Sequence, residues 1–225
     1  MLLASTSCFK GYGLHKTFEL IKASGYDGAD LVLSSSDFDT ENTDYVAEIS
    51  ALTGVQVISI TAYERKMDAK TIDQIIEMAK RLDVKLINIF PPHRLDKDGT
   101  WFSDYLPLVK KQNPDLSIAI INVEPKTFLF FIPEYKDATL SSIKKITGET
   151  TLHISNVNPE SGVDLIKTFT VLGNSIVNVF LSDKTGAKES LLPGKGDMPL
   201  ETLLIRLQEG GYRRYFTLKV NPKDL

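Results

Sequence analysis

Short apolar runs rich in β-branched residues recur along the chain, and between them apolar residues fall at i, i+3, i+4 and i+7. The runs predict buried strands, and the intervening spacing predicts helices that turn one face toward them. Eight runs qualify: LLAST (2–6), GADLVLS (28–34), VQVISIT (55–61), KLINIF (85–90), SIAIINVE (117–124), TTLHIS (150–155), SIVNVFLS (175–182) and YFTLKV (215–220). In TIDQIIEMAKRL, residues Ile72, Ile75, Ile76, Ala79 and Leu82 share one helical face. GLHKTFELIKASGY and PLETLLIRLQEGGY carry glycine just before the next run, as suits a helix that ends and leads into a sheet. Strand and helix in alternation predict a parallel sheet of βαβ units. With no Pro- or Ser-rich linker, eight strands and seven helices predict a single domain over residues 1–225. Its expected fold class is α/β, a (β/α)8 TIM barrel, with an open doubly wound sheet as the competing arrangement. After the eighth run only NPKDL remains, so the eighth outer helix has no sequence to form it. The wall beside the first and eighth strands is then bare, which predicts a homo-oligomer.

Composition narrows the classes of function. A chain that is 42% hydrophobic and 24% charged is ordinary globular protein, long enough to bury a substantial core. The formal net charge of -3 and pI near 5.7 give no general attraction to a phosphate backbone, so no nucleic-acid partner is expected. Cys8 is the one cysteine; it cannot form an intrachain disulfide, and a reducing compartment follows. The start, MLLASTSCFKGYG, lacks a basic leader, and nowhere do 18 apolar residues run together. A soluble cytoplasmic protein with no membrane contact is the expectation.

The stretch LLPGKGDMPLETLL (191–204) looks like a phosphate loop at first sight. It lacks the G-x-x-x-x-G-K-[ST] order, because Lys195 precedes the second glycine. Asp197 ahead of Met198 and Pro199 reads as a helix N-cap, and the glycines allow a sharp turn over a barrel mouth.

FLSD (180–183), LLPGKGD (191–197) and GGYRRYFTLK (210–219), preceded by LIKASGYDGADL (20–31) and IIEMAKRLDVKLINIF (75–90), resemble in order the xylose isomerase-like TIM barrels. That superfamily holds sugar phosphate isomerases and epimerases and the family 2 AP endonucleases. The resemblance implies a pocket lined partly by the 191–197 loop, where Lys195 would touch a ligand. It also implies a divalent metal held by Glu, Asp, His and Glu on strands five to eight. Those positions fall here at Glu124, Ser155, Phe180 and Lys219, and the family's accompanying histidine becomes Asn158. One ligand of four is kept, whereas a hard divalent cation wants several oxygen or imidazole ligands. No metal or other cofactor is expected at the family position. A rearranged site from Glu124, His153 and Asp183 requires the three to converge.

The same resemblance turns Glu124 and Lys219 inward, and a buried charge needs a partner, so the two are expected to pair. They are also the candidate catalytic residues. Glu124 would move a proton beside a sugar carbonyl while Lys219 polarises the oxygen, or Lys219 would attack the carbonyl itself. His93, Arg94, Lys126, His153, Ser155, Asn158, Asp183 and Lys184 cluster near strand ends as candidate substrate-binding residues. Arg94, Lys126 and Lys184 together would receive a phosphate or carboxylate. Two functions stay open. One is a sugar or sugar-phosphate isomerase/epimerase-like protein with a degenerate metal site. The other is a catalytically inactive barrel that binds a small polar molecule or serves in an assembly.

Overall fold

The computed structural model describes residues 1–96, 99–129, 131–158, 164–186 and 188–224. Eight parallel strands close into a barrel: β1 (Leu2–Ser5), β2 (Gly28–Val32), β3 (Val57–Thr61), β4 (Leu86–Ile89), β5 (Ser117–Ile121), β6 (Thr150–His153), β7 (Ile176–Leu181) and β8 (Tyr215–Leu218). Closure comes from β1, which pairs β2 on one side, with Ser5 opposite Asp30, and β8 on the other, with Leu3 opposite Thr217. All eight predicted runs form barrel strands, and the open sheet is excluded. The strands end earlier than their apolar runs, because Asn122–Glu124 and Ile154–Ser155 already turn into loops at the C-terminal mouth.

Seven α-helices stand outside the barrel among the described residues: α1 (Leu14–Ala23), α2 (Thr43–Thr53), α3 (Ala69–Arg81), α4 (Leu106–Gln112), α5 (Leu140–Thr147), α6 (Leu165–Leu172) and α7 (Leu200–Glu209). Their starts are set locally. Asn42, Asp68, Thr139 and Asp164 each accept a hydrogen bond from the backbone N–H three residues on. In α3, Ile72, Ile75, Ile76 and Ala79 are buried, as the spacing requires. None of these helices is long and apolar enough to cross a membrane. After β8 only a 3-10 turn, Pro222–Asp224, follows among the described residues. The outward residues Phe216 and Leu218 are half-buried.

The barrel interior is layered. Leu86, Ala119 and Val177 pack with Tyr215 in an apolar layer. A separate hydrogen-bonded set joins six strands. Asp30 Oδ1 accepts from Ser59 at 2.7 Å, Thr61 at 2.9 Å and Asn88 at 3.4 Å; Asn88 Oδ1 accepts from Thr151 at 2.6 Å and Asn178 at 3.2 Å; Thr217 donates to Asn178 at 3.1 Å. These seven side chains are buried and mutually satisfied, so they cost little and fix strand register.

Two short hairpins rise over the mouth. Thr127–Phe128 pairs with Ile132–Pro133 after β5, and Asp183–Thr185 pairs with Lys188–Leu191 after β7.

Candidate functional site at the barrel mouth

The strand ends and the two hairpins bring the charged candidates together where barrel enzymes place their sites. Glu124 lies three residues past β5 between two ammonium groups: Lys184 Nζ donates to Oε1 at 3.0 Å, and Lys126 Nζ lies 2.8 Å from Oε2. Burial alone would raise the Glu124 pKa, but the hydrogen bonds from Lys126 and Lys184 outweigh it and hold the carboxyl below its usual range. Lys184 is 6% exposed and donates also to the Ser155 carbonyl at 3.4 Å.

The expected Glu124–Lys219 pair does not form. The hairpin after β7 folds Lys184 back onto the carboxylate, and Lys219 makes no ion pair among the described residues. Its ammonium sits instead 4.8 Å from the centre of the Phe180 ring, a cation–π contact. His153, at the end of β6, meets the same ring edge to face at 5.3 Å. Its Nδ1 is buried without a hydrogen-bond partner among the described residues. Burial, then the ammonium groups of Lys219 and Lys184, push the imidazole pKa down to about 3, so the ring is neutral at pH 7.

These groups line a cavity of about 330 Å3 that includes Glu124, Lys126, His153, Asn156, Glu189 and Lys219. A groove of about 940 Å3 between α2 and α3 is larger, but Arg81 there is paired with Asp44 and Tyr63 with Glu41. The mouth is the better candidate, since it lies at the C-terminal ends of the strands and gathers Glu124, Lys126, His153 and Lys219.

Other candidates turn out to hold the loops. The Asp183 carboxylate is buried and accepts from the backbone N–H groups of Lys184, Gly194, Gly196 and Met198 at 2.8–3.1 Å. Ser155 Oγ bonds Ser182 Oγ at 2.7 Å and accepts from Ser190 N at 2.9 Å. His93 is buried behind the cavity, 2.8 Å from Arg65 and 3.2 Å from Glu134. Arg94 is exposed and donates to the Pro133 carbonyl at 2.9 Å. Lys195 is exposed and Asn158 half-buried; neither lines the cavity. The anion-binding trio of Arg94, Lys126 and Lys184 is not assembled, because Arg94 faces the other hairpin and Lys126 and Lys184 are spent on Glu124. Asp197 is not the cap of α7. It accepts from Thr185 Oγ1, and the helix starts at Leu200 after Pro199. Asn122 was the support least visible in sequence, clamping His153 by accepting from its N–H at 2.6 Å and donating to its carbonyl at 3.2 Å.

The closed ring of eight parallel strands is a (β/α)8 TIM barrel, and solved structures with the same fold are xylose isomerase-like. An AP endonuclease, family 2, from Brucella melitensis has the same fold over 99% of this chain and 93% of its own, with TM-score 0.77 and 16% identity. A 3-keto-D-glucoside 4-epimerase from E. coli matches over 98% of this chain and 91% of its own, with TM-score 0.73 and 16% identity. A D-allulose 3-epimerase from Methylomonas sp., solved in complex with D-allulose, matches over 100% and 86%, with TM-score 0.69 and 10% identity. No protein-family model matches the sequence, and no curated protein matches it.

The residues at the four positions that the sequence resemblance assigns to a metal do not suit a divalent cation. Phe180 is fully buried, Ser155 is hydrogen-bonded into the hairpin, Lys219 carries positive charge, and Glu124 is neutralised by two lysines. Among the described residues no three His, Cys, Asp or Glu side chains converge, so Glu124, His153 and Asp183 do not form the rearranged site. Such a donor set offers fewer ligands than a hard cation requires.

Proposed function

We propose that the barrel mouth binds a sugar or sugar phosphate in the manner of the isomerase/epimerase-like fold, with lysine charge standing where that fold carries a metal. The observation that carries this reading is the pair of Lys219 and His153 on the Phe180 ring. Both line a cavity of about 330 Å3, Lys219 as an ammonium with no ion pair among the described residues and His153 as a neutral imidazole. A polyhydroxy ligand supplies oxygen atoms to both, and Asn156 adds an amide on the same lining. Support for the ligand class comes from the similarly folded epimerase that holds D-allulose.

The same geometry weighs against Glu124 as a proton-abstracting base. A carboxylate bracketed by two ammonium groups, with its pKa below the ordinary range, has little proton affinity left. Binding without isomerisation is therefore the better supported outcome. Titration calorimetry with a panel of ketoses, aldoses and their phosphates, beside proton exchange followed by NMR in D2O, separates the alternatives. Binding lost in Lys219→Met, with no deuterium entering the ligand, is expected. Deuterium entry abolished by Glu124→Gln would instead establish metal-independent isomerase or epimerase chemistry. No binding by any member of the panel would sink the sugar reading.

A further inference from the structure

Beside the mouth, between the turn that follows β1 and the segment that follows β8, lies a cleft of about 700 Å3 lined by Lys10, Lys219, Lys223, Ser7, Ser190 and Glu189. Lys219, Ser190 and Glu189 line the mouth cavity as well, so the two spaces share a wall. None of the three cleft lysines forms an ion pair among the described residues. Glu189 is already shared, 3.6 Å from both Lys126 and Lys184 on the mouth side. Among the described residues that line the cleft, three cations thus accompany one carboxylate, which two other cations engage.

The cleft is built by the fold. Lys10 comes from the turn after β1, Lys219 from the end of β8, and Lys223 from the Pro222–Asp224 turn. Ser190 is pinned between them, donating its N–H to Ser155 Oγ at 2.9 Å and accepting from Asn221 N at 2.7 Å. It holds φ at 57°, a left-handed conformation that a serine adopts at a cost and that concentrates near functional sites. Lys219 is half-buried against an aromatic ring, unlike a solvated surface lysine. Charge-assisted hydrogen bonds from three sides suit a group with three terminal oxygens better than a planar carboxylate. Barrels also commonly hold phosphate with the loops after the seventh and eighth strands.

We propose that this cleft is a phosphate subsite of the mouth. The phosphate of a sugar phosphate rests on Lys10, Lys219 and Lys223, and its polyol passes Ser190 into the cavity beside His153. The assignment rests on the sugar reading of the mouth but fails separately from it. Calorimetry would compare a ketohexose, its 6-phosphate and inorganic phosphate on the wild-type protein and on the Lys10→Ala/Lys223→Ala double variant. Both substituted lysines are exposed, so the fold is retained, and an unchanged thermal midpoint checks this. The phosphorylated sugar is expected to bind about tenfold or more tightly than the free sugar, an advantage that shrinks with added KCl. The double variant is expected to erase that advantage while leaving the free sugar's affinity unchanged. Equal affinities in the wild type, or an advantage that survives the double substitution, would overturn the subsite. Inorganic phosphate bound by the wild type and lost in the variant, with neither sugar nor sugar phosphate binding, keeps the subsite and removes the sugar. Binding of none of the three probes overturns both.

Discussion

His153 carries the clearest pH signature of any residue in the site. Its folded pKa is about 3, against an ordinary value of 6.5, because burial and the ammonium groups of Lys219 and Lys184 disfavour the charged ring. A depressed folded pKa means that the unfolded chain takes up a proton before the folded one does. The stabilising contribution is therefore complete above pH 6.5 and drains away as pH falls toward 3, with a limiting slope of about 1.4 kcal/mol per pH unit. His153→Leu cannot titrate, so its stability should fall less than that of the wild type between pH 6.5 and 4. Urea midpoints across that range measure the difference, and parallel profiles would show that His153 is not held neutral. At this scale the sequence revealed kinds of residue more readily than partners. Glu124 and Lys219 are legible as inward-facing through the family resemblance, which sets the face that each shares with Asn122 and Thr217. Lys184 is not legible as the partner of Glu124, because the two are 60 residues apart and meet only once the β7 hairpin folds back.

The 191–197 segment shows what an element adds to its residues. Its motif reads as a glycine-rich loop before a helix, and so it is, but the organising group lies outside it. Asp183 draws the N–H groups of Gly194, Gly196 and Met198 around one buried carboxylate. That explains the two glycines: the anion that their N–H groups surround belongs to the chain. A Cβ at Gly196 would lie 2.5 Å from Asp183 Oδ1 and 2.5 Å from the Lys184 carbonyl oxygen, and the backbone atom cannot move aside cheaply. Gly196→Ala should therefore destabilise the protein by about 1–3 kcal/mol, as overpacking does. Gly194 has φ of 82° but open space at its Cβ, so Gly194→Ala tests backbone strain alone. Denaturant titration of both variants separates the two costs. A Gly196→Ala protein as stable as the wild type would mean that the loop is not wrapped around Asp183. The helix starts later than the Asp197 pattern predicts for a similar reason, since Asp197 is engaged by Thr185 and Pro199 precedes the first turn.

Over the whole molecule, barrel closure was legible because eight apolar runs and seven amphipathic helices admit few arrangements. The polar layer inside was not legible, because Asp30, Asn88 and Asn178 are satisfied only by side chains from other strands. The bare wall beside β1 and β8 is where the two levels meet. On β5, Ile118, Ala119, Ile120 and Ile121 are all fully buried, whereas Tyr215, Phe216 and Leu218 on β8 are half-exposed. The upper end of this seam is tied by Cys8, whose Sγ donates to the Leu218 carbonyl and accepts from Val220 N at 3.2 Å. At the lower end Tyr212 packs against Phe216, ring centres 5.2 Å apart, and donates its hydroxyl to the Tyr215 carbonyl at 2.8 Å. Local opening costs least where burial is least, so amides of Tyr215–Leu218 should exchange with deuterated solvent faster than those of Ile118–Ile121. Peptide-resolved hydrogen exchange reads this directly, and equal protection of the two strands would show that the wall is not a weak seam. Repeating the measurement across protein concentration tests the homo-oligomer expected from the same exposed face. A second copy seated on this wall would slow exchange in β8 and leave β5 unchanged as concentration rises. Exchange in β8 that does not depend on concentration would leave the wall to solvent.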